Sequence, residues 1–162
     1  MLQITWLLLG VLVVGGALRA GRSLRAFRLA VAGMAALFLG AGAAVNATYL
    51  ALGRSYSHFA DASSFEFVRS TWQSLVVPNE DLFITLLVAF EATVGVLLLV
   101  GGRPRRLALV SVMAFLVALL AFSWWYLLWT VPLVVACRLL LLADRQWADL
   151  EDRVELIPAR SP

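Results

Sequence analysis

The stretch Leu86–Val100, LLVAFEATVGVLLLV, carries one charged side chain, Glu91, in an otherwise apolar or small-residue run. A carboxylate at the centre of a membrane-spanning helix costs about 2.5–3.5 kcal/mol on scales measured by translocon insertion. An ionised carboxylate without a cationic partner is not sustained at that depth, so we expect Glu91 to be neutral and to face other helices. The stretch therefore predicts a transmembrane helix that packs inside a helical bundle.

Composition is typical of an integral membrane protein. Of the 162 residues, 62% are hydrophobic and 14% are charged, against about 45–50% and about 25% in soluble domains. The net charge of +3 comes from arginines scattered through short turns, a pattern of orienting charges at a lipid bilayer and not of a nucleic-acid-binding face. One cysteine, Cys137, and one histidine are too few for a two-cysteine thiol oxidoreductase or an all-protein metal site. We find no internal repeat and expect a single domain over residues 1–162.

Five apolar runs predict five transmembrane helices, at about 2–18, 29–53, 82–101, 106–122 and 124–143. The last two runs are continuous from Leu107 to Ala143, and as one helix they would reach about 55 Å, beyond a hydrocarbon core of about 30 Å. We expect a break at Phe122–Tyr126, FSWWY, because Trp and Tyr favour the headgroup level. Pro132 is expected to kink the fifth helix. The first run lacks the basic region and cleavage site of a signal peptide, so we interpret it as a helix.

Arginines and tryptophans predict the orientation. With five spans, three groups of arginines fall on one face: Arg19, Arg22, Arg25 and Arg28; Arg103, Arg105 and Arg106; Arg138, Arg145 and Arg153. The positive-inside rule makes that face cytoplasmic. The opposite face receives an aromatic belt of Trp6, Trp72, Trp124, Trp125 and Trp129. We therefore expect a multi-pass protein of the inner (plasma) membrane, with its N-terminus outside and its C-terminus cytoplasmic.

Two segments outside the spans have apolar residues at helical spacing, which predicts short amphipathic surface helices. The outer connection, residues 55–80, has such a stripe at Phe65, Val68, Trp72 and Val76. We expect this helix to cover about 62–76 and to end at Pro78, with NED, Asn79–Asp81, capping the third span. The cytoplasmic tail, residues 144–162, has a similar stripe at Trp147, Leu150, Val154 and Ile157. We expect the tail to lie on the membrane surface or against a partner.

The polar residues inside the predicted spans are the candidates for function. Glu91 lies near the midpoint of the third span, and Gly95 follows one turn later on the same face. The second span has a matching face of small and polar residues at i, i+4, i+7 and i+11: Gly42, Asn46, Tyr49 and Gly53. We expect Glu91 to hydrogen-bond Asn46 or Tyr49 across the two helices. His58 lies just beyond, in the outer connection.

Each candidate has a structural interpretation beside the functional one. A pair such as Asn46 and Glu91 can simply fasten two helices, and polar contacts of this kind average about 0.6 kcal/mol in membrane bundles. An intramembrane carboxylate is also a candidate proton relay or ligand site. His58 fits a site residue or an interfacial residue wetted by headgroups. No catalytic residue and no metal ligand can be assigned from these residues alone.

Two stretches, SHFADASSFEFVRSTW at 57–72 and LLVAFEATVGVLLLVGGRPRRLAL at 86–109, resemble the DoxX-like family of small bacterial membrane proteins. The residues that match its pattern are His58, Phe59, Asp61, Phe65, Glu91, Gly95, Arg105, Arg106, Leu107 and Ala108. The resemblance covers about residues 29–143 and implies a four-helix core, to which the first span would be an addition. Ala62 stands where the family has Pro.

The resemblance implies a role near membrane redox chemistry, because DoxX proteins resemble the small subunit of a thiosulfate:quinone oxidoreductase. Three functions therefore remain open. The first is a quinone-linked redox accessory subunit, in which Glu91, Asn46, Tyr49 and His58 hold a quinone head and relay its protons, with electrons from another membrane subunit. The second is a non-catalytic interaction subunit of a larger assembly. The third, a carrier or lipid-binding protein, would be favoured by inverted repeats, which we do not find.

Overall fold

The computed structural model describes residues 2–155, with side chains described over residues 5–150, and this part of the chain is helical without strands. It contains five long helices: α1 Leu2–Ala17, α2 Leu24–Ala51, α3 Glu66–Val100, α4 Gly102–Leu119 and α5 Leu127–Glu155. The predicted all-helical class is therefore confirmed. Three segments are long and apolar enough to cross a membrane: Leu24–Ala51, Glu66–Val100 and Trp124–Leu150.

A buried apolar core holds the five helices together. Each helix contributes at least one side chain with almost no exposed surface: Val13, Met34, Leu98, Leu109 and Leu140. Removing such side chains from water or lipid into a close-packed interior gains many small dispersion contacts. All five helices are therefore parts of one packed unit.

The long apolar run breaks where the sequence predicts. Helix α4 ends at Leu119, and α5 follows a single turn of 3₁₀ helix at Trp124–Tyr126. Ser123 is extended, with φ of −165°, and its hydroxyl accepts a hydrogen bond from the backbone N–H of Trp125 at 3.4 Å. The hydroxyl thus caps the new helix. Helix α5 continues past Pro132 to Glu155.

The helix predicted in the outer connection is present, but Pro78 does not end it. The chain is helical without interruption from Glu66 to Val100, through a wide π-helical turn at Trp72–Val76 and a 3₁₀ turn at Val77–Asn79. These turns change the hydrogen-bonding pattern around the proline, which has no N–H to donate. Asn79 does not cap the helix as expected; its side-chain amide donates to the carbonyl of Leu75 at 2.9 Å.

The first part of the tail is a continuation of α5 and packs against the protein itself. The indole N–H of Trp147 donates to the carbonyl of Ala20 at 3.0 Å, and the amide of Gln146 donates to the carbonyl of Gly21 at 3.1 Å. Both carbonyls lie in the turn after α1, where they accept no hydrogen bond from a helix backbone N–H of the described chain. A helix is therefore present in the tail up to Glu155, as the end of α5, while the side chain of Val154 and the whole of Ile157 lie outside the described residues.

A first prediction concerns two adjacent glycines of α1. A Cβ built on Gly16 would lie 2.9 Å from the Cβ of Ala30 and 3.0 Å from the carbonyl oxygen of Ala26, whereas one on Gly15 would meet nothing within 4 Å. Because a backbone atom cannot easily move away, Gly16→Ala should lower the free energy of unfolding by about 1–3 kcal/mol. Gly15→Ala should leave it unchanged or raise it by up to about 1 kcal/mol, because alanine favours the helix.

Thermal unfolding of the two variants in the same detergent, followed by circular dichroism, measures the difference. Equal melting temperatures for the two variants would contradict the close packing of α1 on α2.

Candidate functional site around Glu91

Glu91 is buried between α3 and α2, with 5% of its surface exposed. The side-chain amide of Asn46 donates a hydrogen bond to Oε2 of Glu91 at 2.8 Å. The contact expected from the spacing of polar residues on the two helices is therefore present. Oε1 makes no hydrogen bond with the described part of the chain.

Two glycines allow the helices to approach closely at this level. A Cβ on Gly42 would lie 2.7 Å from Oε1 of Glu91, and a Cβ on Gly95 would lie 2.5 Å from Cγ of Leu39. Both Gly42 and Leu39 belong to Leu37–Ala44, where α2 widens into π-helical geometry. Such wide turns occur frequently at functional sites. The carboxyl group therefore occupies the space that a side chain at Gly42 would need.

The second partner of Asn46 is Tyr56, a residue outside the predicted polar face of the second span. The hydroxyl of Tyr56 donates to Oδ1 of Asn46 at 2.8 Å, so a continuous hydrogen-bonded chain runs from Tyr56 through Asn46 to Glu91. Tyr49 does not take part. Its ring centroid lies 6.3 Å from that of Tyr56, and its face contacts the guanidinium of Arg54 at 5.0 Å. No periodic pattern indicates Tyr56, because it lies in the connection after α2.

The connection that carries Tyr56 is fixed by α3. The backbone N–H of Tyr56 donates to Oε1 of Glu80, and the hydroxyl of Ser55 donates to Oε2 of the same carboxylate at 3.1 Å. The indole N–H of Trp72 donates to the carbonyl of Tyr56 at 3.0 Å. Burial raises the pKa of Tyr56 above its usual value of 10. The phenol therefore stays protonated at neutral pH and remains a hydrogen-bond donor.

His58 is separate from this chain of hydrogen bonds. Its Nδ1 lies 2.8 Å from Oδ2 of Asp61, and 90% of its side chain is exposed. The next residue, Phe59, packs into an aromatic cluster with Trp72 and Phe122, at centroid distances of 5.3 and 4.9 Å. The structure thus brings Glu91 and Asn46 together with Tyr56, and leaves Tyr49 and His58 at the edge of the site.

Within the described residues, no three His, Cys, Asp or Glu side chains form a group that could hold a metal ion. Comparison of the chain with protein families, curated proteins and solved structures gives no match. The geometry of the site and the sequence resemblance are therefore the observations from which a function can be proposed.

A second prediction separates the two tyrosines. Tyr56→Phe removes a hydrogen bond and leaves Oδ1 of Asn46 without its donor, so it should lower the free energy of unfolding by about 0.5–1.5 kcal/mol. Tyr49→Phe is the matched control, because the Tyr49 hydroxyl forms no hydrogen bond within the described residues. It should change stability by less than about 0.5 kcal/mol.

Unfolding of both variants in detergent provides the measurement. A loss for Tyr49→Phe as large as that for Tyr56→Phe would refute the hydrogen-bonded chain.

Proposed function

We propose that this chain is a multi-pass protein of the inner membrane and that all five helices cross the bilayer. Three helices have the required length and apolar character, and α1 and α4 share their core. Large apolar side chains also cover the outer surface of the helices: Leu8, Leu29, Leu86, Val110 and Leu128 are each more than half exposed. Such a surface is stable against lipid and not against water.

The contacts at the two ends of the bundle support the proposed orientation. At one end, Trp147 binds the turn after α1, and Arg105 and Arg106 bind Asp144 of α5, so the three arginine-bearing segments lie together. At the other end, the hydroxyl of Ser63 donates to the carbonyl of Ala121 at 2.5 Å, which joins the outer connection to the turn before α5. The positive-inside rule makes the arginine-bearing end cytoplasmic.

A third prediction tests this topology. With Cys137 replaced by Ala, single cysteines at the exposed positions Ser64 and Asp149 should react from opposite sides of the membrane. A membrane-impermeant maleimide added to spheroplasts should label Ser64→Cys and should label Asp149→Cys only after lysis. Labelling of both cysteines before lysis would show that the proposed topology is wrong.

For the biochemical role, we propose a quinone-linked redox accessory subunit of DoxX-like type. The observation that carries this proposal is the chain of hydrogen bonds from Tyr56 through Asn46 to Glu91, which ends on a carboxyl oxygen with no partner in the described chain. Quinone reduction consumes protons, and a neutral carboxylic acid can donate one to an oxygen and take it back.

Each residue of the site would have a separate role in binding the quinone. Oε1 of Glu91 would hydrogen-bond a quinone oxygen, while Asn46 holds Oε2 and fixes the orientation of the carboxyl group. Tyr56 positions Asn46, because its hydroxyl donates to the amide oxygen. A quinone supplies the redox chemistry when bound, and the electrons come from another subunit.

A second candidate function is a non-catalytic subunit of a larger membrane assembly. The observation that favours it is the close packing at Gly42 and Gly95, which gives the pair Asn46–Glu91 a sufficient structural role in fastening α2 to α3. Polar contacts of this kind join membrane helices without any chemistry.

A fourth prediction separates the two functions. Glu91→Gln keeps the shape and most hydrogen bonds but cannot exchange a proton, and Glu91→Leu removes both properties. For the redox role, Glu91→Gln should assemble like the wild type and lose quinone-dependent electron transfer in inverted membrane vesicles by at least about tenfold. Glu66→Gln, an exposed carboxylate of the same helix, is the matched control and should retain the wild-type rate.

The stability of the same variants completes the test. If Glu91→Gln keeps the full rate and only Glu91→Leu loses stability in detergent, the redox proposal fails and the fastening role stands.

A further inference from the structure

Two adjoining cavities lie at the arginine-bearing end of the bundle. The first has a volume of about 310 Å³ and the second about 250 Å³, and Phe27, Arg28 and Arg105 line both. The remaining lining of the first cavity includes the turn at Gly101 and Gly102. The second cavity is otherwise lined by apolar side chains only: Val31, Ala32 and Leu99. A charged compartment is therefore continuous with an apolar one.

Arg105 is held in place at this junction. Its Nε donates to the carbonyl of Leu98 at 2.9 Å, and its Nη1 donates to Oδ1 of Asp144 at 3.0 Å. The guanidinium also lies over the ring of Phe27, 5.3 Å from its centroid. Nη2 forms no hydrogen bond within the described residues. One edge of a fixed guanidinium is thus free to bind a further acceptor.

The cavity retains an excess of positive charge. Asp144 is 5% exposed and is shared by two guanidiniums, since Arg106 Nε also donates to its Oδ2 at 2.6 Å. Arg28 lines the same cavity, is exposed, and forms no ion pair with the described part of the chain. The cavity wall therefore contains two guanidiniums, Arg28 and Arg105, and one carboxylate, Asp144, which also pairs with Arg106 outside the lining. The charge of Arg28 thus has no counter-charge in the wall.

The backbone at the edge of the first cavity also contributes positive electrostatic potential. Gly101 and Gly102 have φ of 91° and 58°, a conformation that side chains disfavour, and they lead directly into α4. The first N–H groups of a helix have no intrahelical acceptor and carry the positive end of the helix dipole. This backbone adds to the positive potential that Arg28 and Arg105 create.

We propose that the paired cavities bind one anionic phospholipid from the cytoplasmic leaflet. Its phosphate lies between Arg28 and Arg105 in the first cavity, and one acyl chain lies against Val31 and Leu99 in the second. Guanidiniums form bidentate, charge-assisted hydrogen bonds with phosphate oxygens, and basic cavities between helices at the cytoplasmic side bind anionic headgroups. The apolar second cavity distinguishes a lipid from free phosphate, which would use the first cavity alone.

This assignment rests on the proposed membrane placement, but not on a redox role. The two proposals fail separately, because the cysteine-labelling experiment tests the topology and the Glu91 variants test the redox role. Neither measurement depends on a lipid in these cavities.

A fifth prediction tests the lipid site with the full-length chain in a zwitterionic detergent. Native mass spectrometry during titration with phosphatidylglycerol should detect one tightly bound lipid. Arg28→Gln should weaken that binding about tenfold, as expected for loss of a charge-assisted contact. Arg25→Gln removes the same charge from an exposed residue of α2 outside both cavities, and at physiological salt it should weaken binding by no more than about twofold.

A second variant tests the apolar compartment without removing charge. Ala32 is exposed at the wall of the second cavity, so Ala32→Phe should fold and should weaken phosphatidylglycerol binding by occupying the space for the acyl chain. Equal losses for Arg25→Gln and Arg28→Gln would mean general charge attraction and would overturn the site. Unchanged binding in Ala32→Phe, or competition by inorganic phosphate at equal concentration, would overturn the lipid assignment.

Discussion

The burial of one carboxyl group constrains the packing of this protein. Glu91 can remain between apolar helices only if its carboxyl group is neutral or its oxygens accept hydrogen bonds, because an uncompensated charge is too costly there. Asn46 meets this requirement from α2, and Gly42 leaves the space in which the carboxyl group lies. The polar pair and the close contact of Gly95 with Leu39 therefore fit the same register of α2 against α3.

At the opposite end of the bundle, ion pairs compensate a second buried carboxylate. Asp144 is as deeply buried as Glu91, but it forms ion pairs with two arginines near the start of α4, Arg105 and Arg106. Breaking such a buried pair leaves an unpaired charge and is strongly destabilising. The bundle is thus held by a hydrogen-bonded chain at mid-length and by an ion-pair cluster at the arginine-bearing end, with apolar packing between them.

The sequence was sufficient for the features that depend on simple energetic rules. The cost of a buried carboxylate predicted a contact of Glu91 with Asn46 or Tyr49, of which Asn46 makes it, and the length limit of a single span predicted the break within Phe122–Tyr126. Features that depend on local geometry were not predictable. Tyr56 lies in an aperiodic connection that Glu80 holds in place, and the helix continues through Pro78 because π and 3₁₀ turns accommodate the missing N–H.

The order of the helices along the chain has a consequence for biosynthesis. Chains are made from the N-terminus and fold in that direction, so α2 with Asn46 leaves the ribosome before α3 with Glu91. In a chain inserted helix by helix, the amide is already in place when the carboxyl group arrives. In the proposed membrane placement, Glu91 then has Asn46 as a partner as soon as α3 leaves the translocon, and α2 would lower the free-energy cost of inserting α3.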